Sequence, residues 1–315
     1  MILTIPRKAS NGLNEIAALG RGGTVFATDF YVDGAETWTR VAGGLREPGG
    51  VVVNVDHHAP LHSMQRRITS TMLAIERMKA GLAPDPAQDV VVVNHMDCDS
   101  VLASGILSRR LDPHPDLVEA SLAADHTGEA HPVADLLQGL DAHWSRSGLP
   151  TPSIEGLDRF SALLRELRGS GTIDDPFARE ALARRRQNRE AAERMVAEGR
   201  FDGSDGVSMA VLDEPVEGEL FLPHLPRATL VVTMTPLVAH PGRWQAKIRL
   251  GHGASEGLSL HDLRIAEFDD AYGGRWNAGS NNRGDGTDLT PDAYRRKLIE
   301  ALAATRLRPG RNALQ

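Results

Sequence analysis

Three runs of this chain each pass from apolar residues straight into acids and imidazoles. Val90–Val93 leads through Asn94 to His95, Asp97 and Asp99; Val51–Val55 leads to Asp56, His57 and His58; Thr24–Thr28 leads to Asp29. Asp125 adds a fourth acid, in the run Asp125–His126–Thr127–Gly128. Aspartates brought together with no lysine or arginine nearby repel one another, by about 4 kcal/mol for two charges ~4 Å apart at an effective dielectric of ~20. Divalent cations remove that conflict. A mixed carboxylate and imidazole set suits Mn²⁺, Fe²⁺ or Zn²⁺, and the surplus of acids leans towards Mn²⁺. Two such ions ~3.5–4 Å apart can generate hydroxide and hold the oxygens of a phosphoryl group during in-line displacement.

Such convergence needs a particular scaffold. Four consecutive valines read as a strand buried on both faces, as in a parallel sheet. The residues after it, with Val101, Leu102, Gly105 and Ile106, suit a helix capped by Asp99 or Ser100. Ile68, Met72, Ile75 and Met78 recur at helical spacing, and Asp116 to about Ala124 reads as a further helix. Asp33 to Leu45 is also expected to be helical. Strands alternating with helices predict an α/β fold built on a doubly wound parallel sheet. All strand ends then share one edge, where such sheets place their ligands.

Further along, Leu149–Ser170 and the strongly charged Phe177–Gly199 are expected as helices, followed by a Gly/Asp-rich break over 199–206. From Val207 the pattern changes. MAVLDE, ATLVVTMTP and RWQAKIRLG read as strands, Ser259–Phe268 and Pro291–Ala304 as helices, and 272–286 is rich in glycine. The expected organisation is a parallel-sheet catalytic domain over 1–150, a helical connector over 151–206 and a smaller α/β domain over 207–315.

Composition narrows the partners. The 315 residues are 41% hydrophobic and 24% charged, with a net charge of −7, so no global field favours nucleic acid or anionic membrane. Aromatic residues make up 4%; an enzyme tracking single-stranded nucleic acid needs a basic groove with stacking aromatics, so long nucleic acid is not expected. A single cysteine excludes an internal disulfide and fits a reducing compartment. With no apolar signal core at the start and no membrane-length apolar run, a cytoplasmic protein is expected.

The motifs carry a resemblance. NHMDCDSVLAS (94–104) resembles the His-x-Asp-x-Asp motif of the DHH phosphoesterase superfamily, and VNVDHH (53–58) is similar to the motif that names it. ADHTG (124–128) resembles the family's fourth motif, and Asp29 stands where a lone bridging aspartate is usual. KIRLG, with Arg249, and Tyr272-Gly-Gly-Arg-Trp-Asn-Ala-Gly resemble the DHH-associated domain, whose Gly-Gly-Gly-His turn contacts substrate. The resemblance covers about 25–150 and 207–305.

That resemblance implies roles. His95 and Asp97 would bind one metal ion, Asp99, His57 and Asp125 the other, and Asp29 would bridge them. Asp56 would orient its segment or act as an outer ligand, and His58 would face the substrate phosphate. Arg249, Arg275, Asn277 and Arg283 would hold anionic substrate groups, the arginines because a guanidinium fork matches phosphate geometry. Gly273 and Gly274 would line the same subsite. Two departures stand out. The His-x-Asp-x-Asp motif follows the DHH motif instead of preceding it, as if the sheet were circularly permuted. Arg275 stands in place of the expected histidine and Ser100 in place of glycine or alanine, which points to an unusual substrate.

Each residue has a plainer use by itself. A lone Asp or His at a strand end is commonly a turn former or helix cap, and it is the joint occurrence that favours a metal site. Cys98 is expected to point away from the ligands and His126 to lie beside them or at the surface. Arg184–Arg185–Arg186 with Arg189 is expected on the solvated face of the connector helix. Gly251–His252–Gly253 reads equally as a turn or a substrate contact, and Trp276 leans towards core.

The resulting expectation is a two-domain phosphoesterase with its active site between the domains, using two Mn²⁺ ions (or Fe²⁺, Zn²⁺ or Mg²⁺) to hydrolyse a small phosphorylated metabolite or nucleotide. A two-metal hydrolase acting on a non-phosphate bond and a non-catalytic nucleotide-binding protein are the other classes left open, as is the oligomeric state.

Overall fold

The computed structural model describes residues 1–8, 10–64, 67–146, 154–282 and 284–306. It is a mixed α/β structure with two six-stranded sheets among these residues, and it divides into two units. The first comprises Met1–Leu61 and Arg67–Gln187, the second His62–Arg66 and Asn188–Gln315.

In the first unit the strands are β1 (Ile2–Thr4), β2 (Val25–Thr28), β3 (Thr39–Val41), β4 (Gly44–Arg46), β5 (Val52–Val55) and β6 (Val90–Val93). Their order is β1-β6-β2-β5-β4-β3; β1, β6, β2 and β5 run parallel and β4 and β3 antiparallel. The helices are α1 (Leu13–Ala17), α2 (Ser70–Lys79), α3 (Cys98–Leu107), α4 (Pro115–Leu122), α5 (Pro132–Arg146) and α6 (Ile154–Ser170), and α7 (Pro176–Ala197) runs from this unit into the second. All four residues of β6 are buried, and on one face Val90 and Val92 pack with Val25, Ala27, Val52 and Ile16 of α1. Complete burial of each valine contributes roughly 1.5–3 kcal/mol, so apolar burial is a large part of what holds the central strands.

Three local expectations need correction. Asp33–Leu45 is not a helix but a short 3₁₀ turn (Ala35–Thr37) followed by the β3–β4 hairpin. The reversal between β3 and β4 uses Gly43 at φ +69°, packed so tightly that a Cβ there would lie 2.3 Å from the Leu73 carbonyl oxygen. The cap of α3 is Asp97, whose carboxylate accepts from the Ser100 N–H at 3.1 Å, not Asp99 or Ser100. Arg185 of α7 is not on the solvated face: it is buried and paired with Asp135 at 3.4 Å, whereas Arg184 and Arg186 are exposed. The start of the helix expected over Leu149–Ser170 lies partly outside the described residues.

The second unit holds β7 (Asp202–Ser204), β8 (Val207–Val211), β9 (Leu230–Pro236), β10 (Trp244–Leu250), β11 (Gly273–Gly274), β12 (Ala278–Ser280) and the helix α8 (Pro291–Arg306). The order is β11-β12-β10-β9-β8-β7, antiparallel except for β8 with β9. Ser259–Phe268 is not one helix but two 3₁₀ turns, Leu260–Leu263 and Ile265–Glu267, interrupted by Arg264 at φ +48°. No helix among the described residues is long and apolar enough to cross a membrane.

Candidate metal centre

Because β5, β2 and β6 lie side by side and parallel, the residues that follow them emerge at one sheet edge. Asp56 follows β5, Asp29 follows β2, and His95 and Asp97 follow β6. Asp29 continues the ladder with its N–H on the Val55 carbonyl at 3.0 Å, then turns sharply with φ +59°; aspartate is among the residues that tolerate this left-handed region. Asp99, in the first turn of α3, accepts the backbone N–H groups of Ser70 and Thr71 at 2.7 and 2.8 Å. Asp125 sits in a single turn of π-helix, Ala123–Thr127, closed by Gly128 at φ +68°. Such turns recur at functional sites because the extra residue re-aims a side chain.

The side chains converge. His57 Nε2 lies 3.6 Å from Asp29 Oδ1, 3.6 Å from Asp99 Oδ2 and 3.1 Å from Asp125 Oδ2. His95 Nε2 lies 3.2 Å from both Asp29 Oδ2 and Asp97 Oδ2. Three groups each place one ligand atom per residue within 4.8 Å: Asp29–His57–His58, Asp29–His95–Asp97 and His57–Asp99–Asp125. Asp29 belongs to two of them.

Hydrogen bonding tests whether cations fit. His57 Nδ1 is 2.7 Å from the Ile68 carbonyl oxygen, which can only accept, so Nδ1 carries the proton. In the neutral ring the Nε2 lone pair then faces three carboxylates. His95 repeats the pattern, with Nδ1 on Asn94 Oδ1 at 2.7 Å and Nε2 facing two carboxylates. Asp29 Oδ2 is buried and has no hydrogen-bond partner among the described residues. Asp29, Asp97 and Asp99 form no ion pair with lysine or arginine among the described residues. Lone pairs and anions aimed at common points fit divalent cations.

The electrostatics of the bare groups agree. Burial, then the charges of Asp99 and Asp97, pushes the Asp29 carboxyl well above the ordinary carboxylate range; burial chiefly raises Asp99 as well. Burial works against protonated His95, but Asp97 and Asp29 outweigh it and bring its pKa to about 10. Burial would raise Asp97 too, yet the neighbouring His95 outweighs it and holds it well below the ordinary range. Protons thus take up part of the charge conflict that cations would otherwise relieve.

Asp56 stands apart from the three groups. Its oxygens accept from the His58 N–H at 2.9 Å and from His58 Nδ1 at 2.5 Å, so it holds the second histidine of the pair. Cys98 is buried, and burial raises its thiol pKa, which leaves it inert as a nucleophile. His126 is buried beside the cluster, with Nε2 on the Ile68 carbonyl at 2.9 Å.

The residues expected to hold substrate lie in the second unit. Arg249, on β10, is ion-paired with the buried Glu219 at 3.0 Å. Gly273 and Gly274 form β11, and the Arg275 N–H closes their turn on the Ala278 carbonyl at 2.8 Å. A Cβ on Gly274 would lie 2.3 Å from Gly279 Cα, which explains the glycine there. Asn277 is buried, and Trp276 is fully buried, as a core residue is. His252 sits in a turn where Gly251 and Gly253 press on the carbonyls of Ala228 and Arg227. Arg283 lies outside the described residues.

Several participants escape sequence reasoning: Ser70, whose hydroxyl reaches Asp29, the Ile68 carbonyl, Asn94, Asn54 and Glu219. The hydroxyl-rich run Thr69–Ser70–Thr71 signals a helix start, but nothing in its spacing says that it supports ligands.

No family model matches the chain, and no curated protein matches it. Among solved structures, a pGpG-specific phosphodiesterase, PggH, from Vibrio cholerae is 13% identical with a TM-score of 0.43, over 72% of this chain and 88% of that chain. An uncharacterized protein from Helicobacter pylori G27 is 9% identical with a TM-score of 0.23, over 89% of this chain and 99% of that chain.

Proposed function

We propose that this chain is a metal-dependent phosphoesterase of the DHH type, acting on a small phosphorylated metabolite or nucleotide. In this reading Asp29, His57, His95, Asp97, Asp99 and Asp125 hold two divalent cations, with Mn²⁺ the first choice. The observation that carries the reading is the sharing of Asp29: its Oδ2 lies with His95 and Asp97 while its Oδ1 lies towards His57, which in turn faces Asp99 and Asp125. Divalent ions held there would lower the pKa of an attacking water and supply positive charge to phosphoryl oxygens.

The chain's own residues complete the chemistry. Asp56 fixes the ring of His58, which suits His58 to act as the group that protonates a departing oxygen. The Ile68 carbonyl and Asn94 keep His57 and His95 in the tautomer that offers Nε2. For the second unit, taken by itself, the reading assigns Arg275 and Asn277 to binding anionic groups. Arg249 serves the same end with its charge partly balanced by Glu219.

Purified protein with added Mn²⁺ should hydrolyse phosphomonoesters or dinucleotides and lose that activity with a chelator. Turnover of non-phosphate esters alone would assign a two-metal hydrolase of another class. Ion and nucleotide binding with no turnover of any ester would overturn the enzymatic reading.

A further inference from the structure

We infer that Asn54 is a positioning residue for the metal centre: its buried side-chain amide holds Asp29 in the left-handed turn from which one carboxylate reaches both His57 and His95. This deepens the metal reading above and rests on it.

Asp29 adopts φ +59° without being glycine. A residue persists in that region only when its surroundings over-determine it. Here the determinant comes from the neighbouring strand. Asn54, in β5 and fully buried, donates from Nδ2 to the Ala27 carbonyl at 3.2 Å and the Phe30 carbonyl at 2.8 Å. Its Oδ1 accepts from the Val32 N–H at 3.1 Å. Those partners lie two residues before, one after and three after Asp29. A single amide therefore brackets the turn on both sides, with donors on carbonyls and the acceptor on an N–H, an assignment that only an amide of this length satisfies.

The consequence is selective. Asn54 holds the residue that belongs to both the Asp29–His95–Asp97 and the Asp29–His57–His58 groups, whereas the His57–Asp99–Asp125 group meets that residue only through His57. The near-isosteric Asn54→Asp removes both donors and sets a carboxylate against two buried carbonyls. Partners that orient a ligand typically change metal affinity by about 10- to 100-fold, so the variant should lose at least about tenfold in Mn²⁺ affinity at the first group. Because Asp29 Oδ1 also lies towards His57, affinity at the second should fall as well, but by less.

The test is Mn²⁺ titration of the chelator-treated full chain by calorimetry and electron paramagnetic resonance, with circular dichroism to check folding. Asp29→Asn serves as the benchmark for disturbing the shared ligand, and Asp125→Asn for loss at the second group alone. A folded Asn54→Asp chain that follows the Asp29→Asn profile supports the inference. A folded variant that binds like wild type, or whose losses follow the Asp125→Asn profile instead, overturns it while the metal reading stands. Failure of the wild-type chain to bind Mn²⁺ overturns the metal reading and the inference together. If Asn54→Asp does not fold, Asn54→Ser, which leaves space for a water in place of the amide, is judged by the same outcomes. If neither folds, Asn54 supports the whole unit and the local role is overturned.

Discussion

Ser70 gives its hydroxyl proton to Asp29 Oδ1 at 2.8 Å, tying the start of α2 to the turn after β2 across 41 residues of chain. The backbone N–H groups of Ser70 and Thr71 meanwhile go to Asp99. The positive end of one helix therefore steadies two carboxylates that would otherwise repel each other. Ser70→Ala should lower Mn²⁺ affinity by about tenfold and cost about 1 kcal/mol of stability through the lost hydrogen bond. Calorimetric titration and a urea melt check the two effects separately.

Protein purified without chelator should carry about two divalent ions per chain, Mn, Fe or Zn by elemental analysis. Stripping them should lower the melting midpoint and adding Mn²⁺ should restore it, since an ion present at about 100 times its dissociation constant stabilises the native state by about 2.7 kcal/mol per site. A metal-free protein that ignores added Mn²⁺ would overturn the assignment of these residues as metal ligands.

Two aspartates should behave in opposite ways in the metal-free protein. Asp97 caps α3 and pairs with His95, so Asp97→Ala should lower stability by about 1 kcal/mol for the cap alone. Asp29 is buried among like charges, so Asp29→Asn, which keeps a residue tolerant of the left-handed turn, should raise the melting midpoint. Both variants, and His57→Ala, should lose turnover. Retained wild-type activity in any of the three would remove that residue from the ligand set.

A pH effect is expected away from the metal centre. Asp269 in the second unit is buried, accepting from Tyr294 at 2.8 Å and Asn281 at 3.0 Å, and burial raises its pKa above 3.8. The folded state thus keeps this proton to higher pH than the unfolded chain. The stability it contributes is full below pH 3.8 and is lost as pH rises through the folded value. The neutral Asp269→Asn should therefore be more stable than wild type at pH 7, with the difference shrinking as pH falls towards 3.8. Denaturant melts of both proteins from pH 7 down to about 4.5 measure it; a gap that does not change with pH would refute the burial argument.

Much of the scaffold was legible in the chain because its signals are local. Val90–Val93 and Val51–Val55 announce buried strands by composition, and the acids that end them must share an edge once the strands run parallel. The β3–β4 hairpin departs from the expected helix because Gly43 acts through positive φ and close approach to α2, and Gly44 through close approach to β5, none of which has a periodicity. Ser259–Phe268 departs from the expected helix for a related reason: Arg264 leaves the helical region although nothing in its residue type signals it.

At the site, residue chemistry singled out the acids and imidazoles, and tertiary structure assigned their neighbours. Sequence spacing could not show that Asp56 spends its oxygens on His58, that Asp97 rather than Asp99 caps α3, or that Asp99 faces the start of α2. Nor could it show that Asn54 brackets Asp29 or that the Ile68 carbonyl orients His57. Side-chain type and strand pattern follow from a few adjacent residues, so the chain states them outright. Ligand orientation depends on hydrogen bonds to backbone groups dozens of residues away, whose positions exist only after the sheet and helices have packed.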